Sequence, residues 1–120
     1  MTHLIMNEAT TAVLSSLHDA SIDALSVFED AVSIQLDDVI IDGRSSRVSV
    51  KLLQVRIIRR EGELVSDLSM EQSDGELVFF EPIRSGVKLL IQWNCFSSQK
   101  TKDVFYEVEC SEIIAQSTFD

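Results

Sequence analysis

Glycine is scarce in this chain, with four in 120 residues, so few backbone positions are free to cradle a phosphate. GxSxG, a Walker loop, GxGxxG behind a strand and HExxH are all missing, which lowers the expectation of an enzyme without closing it. The two cysteines form no CxxC, and the two histidines stand in no matching array. No zinc site, other metal or cofactor is therefore expected. Apolar runs are short as well: Val87 to Phe96 is interrupted by Lys88, far below the roughly 18 residues of a membrane-spanning helix. The stretch Met1 to Glu8 has neither a basic start nor a long apolar core, so no secretory signal is read and a cytoplasmic location is expected.

Positive charge is the other shortage. Ten basic side chains face twenty carboxylates, for a formal net charge of −10. Nucleic acid is an unsuitable partner for such a surface, because phosphate binding needs clustered Lys and Arg. Arg44, Arg47, Lys51, Arg56, Arg59 and Arg60 fall in one stretch without Asp or Glu, which leaves the remainder still more acidic. That excess serves solubility in general, and it also suits a surface that attracts a basic partner.

What is present reads as one globular domain over 1–120. Hydrophobic residues at 45% and charged residues at 25% are ordinary globular proportions. Ala9, Val13, Leu14 and Leu17 follow helical spacing behind the capping residue Asn7, with Glu8 in the first turn, so a short amphipathic helix is expected over about 7–18. After Asp19 the period becomes two. Val32, Ile34 and Leu36 alternate with Ser33, Gln35 and Asp37, and comparable alternation predicts strands over about 20–28, 31–41, 46–60, 63–71, 75–81, 86–96 and 103–114.

Within 47–60 the apolar phase slips, from Val48, Val50 and Leu52 to Leu53, Val55 and Ile57, which places a bulge or bend near Leu52 and Leu53. Leu77 and Phe79 on one face, with Val78 and Phe80 on the other, predict a strand covered on both sides. Turn signals at Asp42-Gly43, Glu61-Gly62, Asp74-Gly75, Pro82 and Ser85-Gly86 are too close together for crossover helices. The expected fold is mainly β, bordering on α+β: about seven antiparallel strands in a meander, forming a sandwich or half-open barrel behind one short N-terminal helix.

Several residues are candidates for chemistry. His18-Asp19 can supply a general base or a metal ligand. A histidine at a helix C-terminus is equally favoured by the dipole alone, and Asp19 is a natural residue for leaving a helix. His3 has no second ligand. Asp37-Asp38-Val39-Ile40-Ile41-Asp42-Gly43 superficially matches a calcium loop, but Ile40 stands where that loop needs an oxygen ligand and Ser49 where it needs a bidentate glutamate. Asp37, Asp38 and Asp42 are instead candidates for contact with a protein partner. Glu107 and Glu109 share a face two residues apart, either as a solvated sheet surface, as partner contacts or as a carboxylate pair for acid and base work.

Trp93 and Tyr106 fall on inward faces of a predicted hairpin, as a packed pair or as the lining of a ligand pocket. In that hairpin Cys95 lies opposite Val104 or Tyr106, while Cys110 lies opposite Leu89 or Ile91. The sulfurs are then on the order of 14–20 Å apart, beyond the reach of a disulfide, so both are expected to be free core thiols in a reducing compartment. Three functions follow in order of preference: an acidic protein-binding module of the immunity or antitoxin type, a small-molecule-binding sandwich or barrel, and an enzyme using His18. Pairing of exposed sheet edges into a homo-oligomer is compatible with each.

Overall fold

Polar–apolar alternation becomes a rolled antiparallel sheet in the computed structural model, which describes residues 4–119. After the helix α1 (Glu8–Leu14) come β1 (Ala20–Phe28), β2 (Ala31–Ile41), β3 (Arg44–Leu53), β4 (Ile57–Arg60), β5 (Glu63–Val65), β6 (Asp74–Ile83), β7 (Gly86–Cys95), β8 (Lys100–Glu109) and β9 (Glu112–Phe119). The mainly-β class and the short N-terminal helix agree with the sequence. The strands number nine among the described residues because two of the expected seven break: 46–60 divides into β3 and β4, and 103–114 into β8 and β9.

Both breaks belong to one bend. β3 pairs with β9 and β4 with β8, so 44–60 and 106–119 form a single long ribbon folded across its middle. Gln54 takes a left-handed φ of 55° on one side of the fold. On the other, Arg56 donates to Ser111 Oγ at 2.6 Å and to the Cys110 carbonyl at 3.4 Å, tying the bend together. The predicted bend is therefore real but falls at residues 54–56, just beyond Leu53, and the expected shift of parity does not carry through, because Ile58 rather than Ile57 is the buried residue of β4.

Strand order is β5-β4-β8-β7-β6-β1-β2-β3-β9, which corrects the simple meander. Alternation shows which side of a strand faces inward, not which strand lies beside it. β1 joins β6 through only two residue pairs, Ala20 with Leu77 and Ser21 with Glu76. That narrow seam and the bent ribbon bring the sheet round on itself as a half-open barrel. Leu25, Ile34, Val50, Leu77, Leu89, Ile91, Val104 and Tyr106 meet in one buried core.

Local chemistry explains the connections. Asp42-Gly43 and Glu61-Gly62 both have positive φ at each residue (51° and 77°, 52° and 81°), the geometry of tight hairpin turns whose twist matches the strands. Asp74-Gly75 is no turn; it opens β6, and Gly75 is required because the indole of Trp93 lies against it. A Cβ there would stand 2.6 Å from the ring. A bulge between Leu77 and Phe79 reverses the expected parity, so Leu77 and Phe80 turn inward, while Phe79 meets Phe105 with ring centroids 6.3 Å apart.

The expected strand 63–71 shortens to Glu63–Val65. Its remainder, with the residues up to 73, becomes an irregular strap over 66–73 whose Leu68 is buried in the core and whose Glu71 is held by Arg60.

The helix is shorter than expected, ending at Leu14, with Asn7 Oδ1 accepting from the Thr10 amide at 2.8 Å. It shields β9, an edge strand that otherwise exposes unpaired backbone groups. Ile5 pairs in parallel with Glu112, and buried Thr10 Oγ1 accepts from the Ala115 amide at 3.1 Å. No helix among the described residues is long and apolar enough to cross a membrane.

Candidate functional site

Register decides which charges on the outer surface stand together. Five outward residues on five neighbouring strands form one row: Asp103 opposite Gln92, Gln92 opposite Glu76, Glu76 opposite Ser21 and Ser21 opposite Asp37. At the usual strand spacing of about 4.8 Å the row spans roughly 19 Å. It contains three carboxylates and no Lys or Arg. Asp74, two residues before Glu76, shares its face, and exposed Asp23 and Asp38 occupy the bulges in β1 and β2.

Neutral groups orient these carboxylates. Gln92 Nε2 donates to Asp103 at 3.2 Å, Asn94 Nδ2 to Asp74 at 2.6 Å and Ser21 Oγ to Asp38 at 3.1 Å. Amide and hydroxyl donors hold a carboxylate in place without cancelling its charge. A cation enters at the β3 end, where Arg47 Nε stands 3.3 Å from Asp37. Exposed Ile40 lies beyond Asp38 on β2, and Asp42 sits in the turn that follows.

A second row, toward the other end of β6, β7 and β8 and continuing onto β4, behaves differently. Glu81 faces Lys88, Lys88 faces Glu107, and Glu107 faces Arg59, so its signs alternate and largely cancel. Glu109 Oε2 lies 3.3 Å from Arg59 Nη1. The sequence candidates thus separate: Asp37 and Asp38 belong to the acidic face, Asp42 sits in the turn beyond it, and Glu107 and Glu109 lie in a neutralised row.

The structure brings His18 and Asp19 together on the surface, with Nδ1 and Oδ2 2.8 Å apart and both side chains well exposed. Adjacent residues meet here because Asp19 adopts a left-handed φ of 65° on leaving the helical turn. No third side chain completes a catalytic arrangement among the described contacts of this pair. His3 lies outside the described residues, and no group of His, Cys, Asp and Glu among the described residues is arranged to hold a metal.

Trp93 and Tyr106 are buried, at 2% and 1% exposure, and of the two Trp93 also backs an open cleft past the end of the core. They are not directly opposite, since Trp93 pairs with Lys102 and Tyr106 with Leu89, yet the long indole reaches its partner. Trp93 Nε1 donates to Tyr106 Oη at 3.1 Å, and Tyr106 Oη donates onward to Glu71 Oε2. Arg60 closes the chain with Nε to Oε2 at 2.8 Å and Nη2 to Oε1 at 2.6 Å.

The Arg60 hydrogen bonds hold the Glu71 carboxyl below its usual range, against the opposite push of burial. Burial, then the hydrogen bond to Glu71, raises the Tyr106 phenol. The network is internally satisfied, which suits pinning the strap over the barrel end better than proton transfer. Sequence spacing did not reveal Glu71 or Arg60 as its members, nor Glu76, Asp74 and Asp103 as members of the acidic face. Only strand order brings them together.

No protein-family model, no curated protein and no solved structure matches the chain. Functional argument therefore rests on these side chains alone.

The cysteines are both free. The β7–β8 loop is only Phe96 to Gln99, so Cys95 faces Lys100 rather than Val104 or Tyr106. Cys110 lies near the β6–β7 turn, its amide donating to the Ser85 carbonyl at 3.1 Å, instead of opposite Leu89 or Ile91. Cys110 is a core thiol pushed up to about 11 by burial. Cys95 is not a core residue: it keeps the inward parity of Trp93 but lies past the end of the core, half-buried.

Proposed function

We propose that the chain is a small acidic protein-binding module that docks a basic protein on the outer face of β8, β7, β6, β1 and β2, in the manner of an immunity or antitoxin protein covering a basic toxin. The observation that carries this reading is the row Asp103, Gln92, Glu76, Ser21, Asp37, which crosses five strands without a basic residue. Because it lies on a hydrogen-bonded sheet, its charges are presented on a rigid surface and lose little entropy on docking. Side-chain amides and a hydroxyl supply further orientation without neutralisation. Such a field accelerates encounter with a cationic surface and rejects acidic ones, and the effect weakens as salt rises. Exposed Ile40 at the margin offers apolar contact. A cytoplasmic setting fits the two cysteines kept as thiols.

The test immobilises the full chain and challenges it with native lysate of the organism that makes it, at low and then raised salt. Glu76→Lys combined with Asp37→Lys reverses the acidic row, while Glu107→Lys alters the neutralised row. A basic protein retained by the wild type and by Glu107→Lys, lost from the double variant and released by salt, is the expected result. Retention of nothing basic, or equal retention by the double variant, overturns the proposal.

A further inference from the structure

The β7–β8 hairpin runs on past the end of the core. Cys95, Lys100 and Lys102 keep the inward parity of Trp93 and Val104, and Cys95 stands directly across from Lys100. An open cleft of about 470 Å³ results, lined by Trp93, Glu71, Cys95, Ser98, Lys100 and Lys102. Glu71 brings negative charge to this cleft, but both of its oxygens are engaged, by Arg60 and Tyr106. Arg60 answers that charge, so Lys100 and Lys102 make the cleft locally cationic on a chain whose net charge is −10.

Cys95 Sγ lies 3.3 Å from Ser97 Oγ. Hydrogen bonds from Ser97 and Ser98 bring the thiol down to about 7, so a large share is thiolate, the reactive form, at neutral pH. Cys110, buried and pushed up to about 11, has the opposite environment.

We propose that this cleft is a thiol-modification site, in which Cys95 exchanges with a small anionic disulfide held by Lys100 and Lys102. The Cys95 thiolate attacks one sulfur of the incoming disulfide. A bond forms between Cys95 Sγ and that sulfur as the ligand's own S–S bond breaks. The other half leaves as a thiolate with the electron pair and takes a proton from water. Cys95 is oxidised to a mixed disulfide, the ligand is reduced, and attack by a second thiol reverses the step. Lysines are needed for this selectivity, because the acidic remainder of the surface repels anions.

The test follows thiol release from the full chain with two disulfide probes, dianionic dithiobis(nitrobenzoate) and uncharged dithiodipyridine, with intact mass identifying the adduct. One thiol should react rapidly with each, and Cys95→Ser should abolish that phase while the melting temperature holds. Lys100→Gln with Lys102→Gln should slow the anionic probe on the order of five- to tenfold relative to the uncharged one. Equal slowing of both probes, no slowing of the anionic probe, or a fast phase that survives in Cys95→Ser overturns the assignment.

Discussion

Replacing Tyr106 by Phe removes one oxygen and leaves the ring in place, so the resulting loss of stability reports on the polar chain rather than on packing. Two hydrogen bonds go with that oxygen. The Trp93 indole N–H, buried with its acceptor gone, costs about 1–3 kcal/mol as an unsatisfied donor, and the donor to the Glu71 carboxylate contributes about 1.5–3 kcal/mol. Glu71 retains Arg60 and has 26% of its side chain exposed, so water recovers part of the second amount. A net loss of about 2–4 kcal/mol is expected.

Urea denaturation followed by emission of the single tryptophan measures it, and the native emission should itself change, because the indole loses its partner. Glu71→Gln and the double variant complete a cycle. The two changes should be non-additive by at least about 1 kcal/mol, since both act on one network. A loss below about 0.5 kcal/mol for Tyr106→Phe, with emission unchanged and effects additive, would refute the reasoning.

Further perturbations act on the same framework. Glu71 has a folded pKa below its unfolded value, so its contribution is present above about pH 4.3 and lost as pH falls through the lowered folded value; Glu71→Gln should flatten that acid limb of a melting-temperature profile. Tyr106 is shifted upward by burial first, so stability should decline as pH climbs above about 10, a loss that Tyr106→Phe removes. Gly75→Ala places a Cβ 2.6 Å from the Trp93 ring and should cost about 1–3 kcal/mol with altered emission. Gly86→Ala meets the Val108 carbonyl oxygen at 1.9 Å, a backbone atom that cannot step aside. It should cost more than about 3 kcal/mol, read as loss of the cooperative thermal transition.

The residues of the acidic face illustrate how far one-dimensional reading reaches. Asp37 and Asp38 were legible as a surface cluster because they are adjacent and end an alternating run. Glu76 and Asp103 carry no such local mark, and become their neighbours only through the β1–β6 seam and the β6–β7–β8 register. Glu107 and Glu109 looked equally available, yet Lys88 and Arg59 face or contact them from other strands. Carboxylate count is written along the chain; neutralisation is a property of pairs.

Periodicity by itself determined the mainly-β character, the first two strand spans and the inward set Val87, Leu89, Ile91 and Trp93. Each follows from the side-chain period of two, a local property of extended backbone that burial then selects. Strand order, the fold in the ribbon at Gln54 to Arg56 and Cys110 to Ser111, the conversion of 66–73 into a strap and the meeting of Trp93, Tyr106, Glu71 and Arg60 were decided only in three dimensions. Hydrogen bonds between strands far apart in sequence depend on which edges come together, and alternation is the same for every possible neighbour.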